Sequence, residues 1–160
     1  MAVVTNIGRG DHLGMNFIET AAQLAEVKGT IVRNVAPTGM GVLNAADPLV
    51  AEMAQTCPGS VTFFARDRHH PLMAAHRVRG NRVVFEDGGA IVAVQGNVEH
   101  RFALRDIPFT NEGQLGFQVE NAMAAIAAVW ALGLDWTRVR AGLQTFSTCL
   151  LYTSPSPRDR

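Results

Sequence analysis

The sequence carries no surplus of charge. Lys and Arg number 14 and Asp and Glu 14, so the formal net charge at pH 7 is zero. Without a basic excess, a general nucleic-acid or membrane-surface role gets no electrostatic support. Cysteine is nearly missing as well. Cys57 and Cys149 are the two present, and they make neither a disulfide framework nor a CxxC metal pair, so a reducing cytoplasm is the default setting. Long apolar runs are lacking too. The longest, Ala122 to Leu134, is too short to cross a bilayer and includes Gly133. It reads as a core helix. Met1 leads straight into a strand-like run, so no signal peptide is expected.

What is present describes one domain. At 160 residues and 48% hydrophobic content, the chain is long enough to bury a real core. Val3-Val4-Thr5-Asn6 reads as the end of a buried strand, and Ile7-Gly8-Arg9-Gly10-Asp11-His12 as the loop leaving it. Ligands in open α/β sheets sit at such strand ends. A helix is expected from Phe17 to about Val35, with Phe17, Ala21, Leu24 and Lys28 on one face and a break or kink at Gly29. Met40 to Asn44 is the next strand. Asp47 caps a helix opened by Pro48 and running to about Gln55, and Ser60 to Phe64 is a third strand. This alternation predicts an α/β fold with a mostly parallel sheet and flanking helices.

The middle of the chain changes character. Leu72 to Val78, Arg82 to Glu86, Ala90 to Gln95 and Val98 to Leu104 read as short strands. The connectors Arg79-Gly80-Asn81, Asp87-Gly88-Gly89 and Gly96-Asn97 suit hairpins. A small antiparallel β insert, appended to the parallel sheet over residues 72–105, is therefore expected. Two helices follow within 114–147. The first carries Val119, Ala122, Met123, Ile126, Val129 and Trp130; the second runs from about Trp136 to Phe146. The end, Thr148 to Arg160, includes Ser-Pro-Ser-Pro-Arg, which neither continues a helix nor fills a core. It reads as a disordered or non-native tail resembling translated adaptor read-through, and is set aside.

Three ordered segments resemble the central domain of the Mur ligase superfamily. Val4-Thr5-Asn6 through Asp11-His12-Leu13, then Lys28, is similar to its "TN…DHL…K" stretch. Val42-Leu43-Asn44-Ala45-Ala46-Asp47 resembles its "vlNaDD" strand and turn. Gly116-Phe117-Gln118-Val119-Glu120-Asn121-Ala122-Met123-Ala124-Ala125 resembles its "G-H-N-x-x-N-A-L-A-A" helix start. The wording GFQVENAMAAIAAVWALGL is most similar to the branch that adds Arg to the Asp β-carboxylate of a growing polymer. The resemblance implies an ATP- and Mg2+-dependent, amide-forming ligase working through an acyl phosphate. It also implies a homo-oligomeric full-length enzyme with ATP, Asp, Arg and the polymer as partners. Two alternatives stay open. One is another Mur-type ligase, of the peptidoglycan-precursor or folylpolyglutamate kind; the other is a non-catalytic nucleotide-binding or interaction module.

The phosphate-binding glycine-rich loop of that superfamily lies upstream of the DHL segment, and no G-x-x-x-x-G-K-[ST] stretch occurs here. The chain is therefore expected to be the C-terminal part of a central domain, 1–147, and inactive alone. By resemblance, His12 helps hold a magnesium ion near the γ-phosphate; otherwise it caps its own loop. Asp11 braces the loop or orients His12. Lys28, on a semi-apolar face, either ligates magnesium as a carbamate or snorkels to solvent. Asn121 carries over to the adenine edge, where an amide offers both a donor and an acceptor. Gln118 carries over by analogy, and Phe117 stands where the usual His would be, packing on adenine or on the core. Asn44 and Asp47 match the asparagine-acid turn, although Ala46 replaces the first of the usual paired acids. Arg66 to His70 reads as a solvated loop, because its spacing fits no zinc pattern.

Overall fold

The computed structural model describes residues 1–8, 14 and 18–147. Its centre is a six-stranded sheet in sequential order: β1 (Ala2–Val4), β2 (Met40–Asn44), β3 (Ser60–Asp67), β4 (Val83–Asp87), β5 (Ala90–Gln95) and β6 (Val98–Ala103). The first four strands are parallel, and β4, β5 and β6 pair antiparallel. Parallel neighbours need a crossover element. Here these are α1 (Ala21–Arg33), α2 (Pro48–Glu52) with a 3-10 turn at Met53–Thr56, and α3 (Pro71–Val78).

Alternation along the strands divides the core into two layers, as the period of two requires. Leu43, Phe63, Val83, Phe85, Val92 and Val94 face α1, α2 and α3, joining Leu24, Val32, Val50 and Met73. Val42, Phe64, Val84, Ile91 and Ala93 face the other way. There they meet α4 (Gly116–Ala131) through Val119, Met123 and Ile126, and α5 (Trp136–Thr145) through Val139 and Leu143. A monotonic strand order with crossovers of one hand delivers every crossover helix to the same face. The second face is thus left for the two helices that follow β6. The mean hydropathy of α4 is high all round, as suits a helix laid on a sheet and flanked by another helix.

Several sequence expectations need correction. Leu72 to Val78 is helix α3, not a strand; Pro71 occupies its first turn, and Gly80 at φ +76° follows its end. A strand there could not have connected parallel β3 to β4. The expected antiparallel part is there as β4 to β6, and because β4 also pairs with β3 in parallel register, β5 and β6 extend the same sheet. Helix α1 begins at Ala21, where Thr20 and Gln23 form a capping box. Gly29 does not break it. It is buried in mid-helix, where a Cβ would lie 3.3 Å from Arg33 Nη1 and 3.9 Å from Met53 Cγ. The Asp47–Pro48 helix start holds, but beyond Glu52 the helix tightens to 3-10. The loop residues Asp11 and His12, the expected helix residue Phe17, and the tail from Thr148 lie outside the described residues. Among the described residues, no helix is long and apolar enough to cross a membrane.

Candidate functional site

The carboxyl ends of the parallel strands gather polar groups. Asn44, the last residue of β2, is buried, and its Oδ1 accepts from the Ala46 amide at 2.9 Å, closing an Asx turn. Asp47 follows. Its Oδ1 accepts from the amides of Leu49 at 3.0 Å and Val50 at 3.3 Å, capping α2. Its Oδ2 accepts from the Ile7 amide at 2.7 Å, which fixes the chain leaving β1. Lys28, half-buried on α1, reaches back toward the same segment, with Nζ 3.5 Å from the Asn6 carbonyl oxygen. The structure therefore brings Lys28, Asn44 and Asp47 to the β1 and β2 ends. His12 lies outside the described residues, so its place beside them is a matter for proposal.

Phe117, Gln118 and Asn121 form a second group, in the first turns of α4. Gln118 and Asn121 share a face, as their spacing of three dictates, and Asn121 Nδ2 donates to Gln118 Oε1 at 3.1 Å. Phe117 is 61% exposed, so it does not pack into the core. Gln118 and Asn121 line a cleft of about 530 Å³ between α4 and α5, together with Ile126, Val129, Arg138 and Phe146. The walls are apolar and the amide pair supplies directional polar groups, a combination that suits a flat heteroaromatic ligand.

One cluster was not legible in the sequence as a site. Arg66, near the end of β3, donates from Nε to Glu86 Oε2 at 2.7 Å. This bond to Glu86, with a further attraction from Glu120, holds its guanidinium above the ordinary arginine range. A Cβ on Gly116 would lie 2.6 Å from Arg66 Nη1, so the guanidinium rests against the first residue of α4. The signal available was Gly116 itself, a glycine at a helix start with no turn to explain it. Nearby, Arg68 and Arg101 both pair with Asp87 and hold its carboxyl below the usual range. Arg66 through His70 is thus not a free loop: Arg66 and Asp67 belong to β3, and His70 precedes α3.

Among the described residues, no group of three His, Cys, Asp or Glu side chains is placed to hold a metal ion. Asp47 and Asn44 are already engaged by backbone amides.

Residues 1–129 match the Mur ligase middle domain, and the chain belongs to that family. It is 34% identical to the cyanophycin synthetase of Geminocystis herdmanii over 148 residues, which are 92% of this chain and 17% of that enzyme. It is 36% identical to the cyanophycin synthetase of Synechocystis sp., with the same two coverages. It is also 31% identical to a UDP-N-acetylmuramoylalanine--D-glutamate ligase of Desulfitobacterium hafniense, over 85% of this chain and 27% of that one. Among solved structures, MurF of Acinetobacter baumannii shares the fold with a TM-score of 0.58 and 19% identity, over 92% of this chain and 29% of that one. The chain thus spans about one-sixth of the cyanophycin synthetases it matches.

Proposed function

We propose that this chain is the part of an ATP-dependent, amide-forming ligase that receives the adenine base, and that the whole enzyme belongs with the cyanophycin synthetases. The observation that carries the reading is the Gln118–Asn121 amide pair on the rim of an apolar cleft. An amide can donate to a ring nitrogen and accept from an exocyclic amine, and the apolar walls shield the ring faces from water. In the whole enzyme, ATP would convert a carboxylate to an acyl phosphate, and an amine would then displace phosphate. Such chemistry asks the protein mainly to position the groups and neutralise charge. The substrates proposed are the Asp β-carboxylate of the polymer and the amine of Arg. The greater identity to cyanophycin synthetases than to the muramoyl ligase favours them.

Magnesium, where bound, would neutralise phosphate charge. Its ligands would come from His12 and from Lys28 as a carbamate, with upstream residues of the longer enzyme. Within this chain, Asp47 holds the β1 and β2 ends together and Lys28 offers an amine there. No G-x-x-x-x-G-K-[ST] stretch occurs in the 160 residues, so the chain alone lacks the backbone cradle for the phosphates. Titrating the isotope-labelled chain with ADP tests the base site. Chemical shifts should move at the side-chain amides of Gln118 and Asn121 and at Phe117. Shifts confined to other residues, or ATP turnover by this chain alone, overturn the reading.

A further inference from the structure

Helix α4 begins without local instructions. Its N-cap is Leu115, which has no side chain to accept from the free amides, and its first turn carries no acidic residue. Ser, Thr, Asp or Asn at the cap would normally fix where such a helix starts; α1, α2 and α5 each have one of these. Yet the start of α4 matters most for the proposed site, because Gln118 and Asn121 lie two and five residues after Gly116. A frayed first turn would spread both amides over many orientations. The burial of Val119 and Met123 fixes the helix on the sheet, but no side-chain cap holds its first turn.

Arg66 fits that need. Its Nε bond to Glu86 ties the guanidinium to the end of β4, the neighbouring strand. Its Nη1 fills the space where a Cβ of residue 116 would be. Glu120 attracts the same guanidinium from one turn further along α4. A cation at a helix N-terminus meets the positive end of the dipole and is disfavoured by it. The bond to Glu86 and the longer-range attraction of Glu120 offset that repulsion, and Nη1 is held against Gly116. We infer that Arg66 is a positioning residue, which registers the first turn of α4 and thereby the Gln118–Asn121 pair, and that Gly116 is glycine to admit it. This rests on the reading of α4 as the base-contacting helix.

The test is a double-mutant cycle on the 160-residue chain, read by amide hydrogen exchange across Phe117 to Asn121. Arg66→Ala should speed exchange in this turn about fivefold while leaving the urea midpoint nearly unchanged, since the ion pair is partly solvated. Arg66→Lys should restore part of the protection, and Glu86→Gln, which keeps the shape, should lose it. Gly116→Ala should act oppositely in the two backgrounds. With Arg66 present it evicts the guanidinium and speeds exchange; with Arg66→Ala it slows exchange, because alanine favours the helix. Unchanged exchange in Arg66→Ala, or an effect of Gly116→Ala that is the same in both backgrounds, overturns the inference. A wild-type chain whose Gln118 and Asn121 amides ignore ADP counts against the base site alone, and the exchange cycle still decides the role of Arg66.

Discussion

Asp47 and Ile7 stand forty positions apart in sequence, and one carboxylate oxygen of Asp47 accepts from the Ile7 amide at 2.7 Å while the other caps α2. The residue therefore does two structural tasks at the strand ends. Asp47→Ala should lower stability by about 1–2 kcal/mol, the range of a lost helix cap with an orphaned amide. Asp47→Asn keeps one accepting oxygen, so it should recover roughly half of that. Urea unfolding of the two variants checks the order. An Asp47→Ala chain as stable as the wild type would remove the tie from the account.

Gly59 is constrained by backbone, not by conformation. A Cβ there would lie 2.4 Å from the Gly39 carbonyl oxygen and 2.8 Å from that of Ala36. Neither atom is the free end of a side chain, so neither can give way. The Ser60 amide also donates to the Gly39 oxygen at 3.0 Å, which sets the entry into β3. Gly59→Ala should cost about 2 kcal/mol or more, at the upper end of overpacking. Gly142→Ala is the control, since its Cβ would meet nothing within 4 Å and it lies inside α5. There the helix preference for alanine should raise the melting temperature.

His76 links stability to pH. Its ring is half-buried against Phe63, edge to face at 4.8 Å, with Nε2 2.8 Å from the Val61 carbonyl oxygen. That oxygen can only accept, so the neutral tautomer carries its proton on Nε2. Burial pushes the imidazole below its usual range; the bond to Val61 opposes this, and the charge of Arg79 adds to it. The unfolded chain consequently takes up its proton first as pH falls. Stability from this group is present above about pH 6.5 and is lost as pH drops from there toward the lower folded value. His76→Gln keeps a donor but cannot titrate. Urea midpoints from pH 7.5 to 5 should decline less in that variant than in the wild type; parallel curves would exclude His76 as the source.

Much of this fold is legible in the residues, and the misreadings have physical causes. The strands β2 and β5 announce themselves because most of their residues are buried and apolar, and β4 does so through the buried run Val83-Val84-Phe85. The Asp47–Pro48 start is read correctly because cap and ring constraint act locally. Helix α3 is misread because Leu72 to Val78 is too short for a helical period to stand out. The turn residues Arg79-Gly80-Asn81 suit a helix end as well as a hairpin. The pairing of β3 with β4, which decides the matter, is a long-range fact. The same holds at the site. Gln118 and Asn121 are visible as a spaced amide pair, whereas the contact of Arg66 with Gly116 joins residues fifty positions apart and leaves only an unexplained glycine.

Phe117 is the point where this chain departs from the family pattern most openly. It lies beside Gln118 at the start of α4, is 61% exposed, and so contributes little to the core. Phe117→His should therefore leave stability within about 0.5 kcal/mol of the wild type. An imidazole there would add a hydrogen-bonding edge next to the amide pair, and one net hydrogen bond is worth about 1 kcal/mol, or about a fivefold change in affinity. ADP should thus bind Phe117→His about fivefold more tightly, as followed by the Gln118 and Asn121 shifts. Phe117→Ala separates this gain from mere removal of an exposed ring. If the alanine variant tightens binding as much as the histidine, the gain comes from removing the ring and not from a new hydrogen bond. If the histidine weakens binding, the aromatic ring itself contacts the base and the substitution has removed a stacking partner.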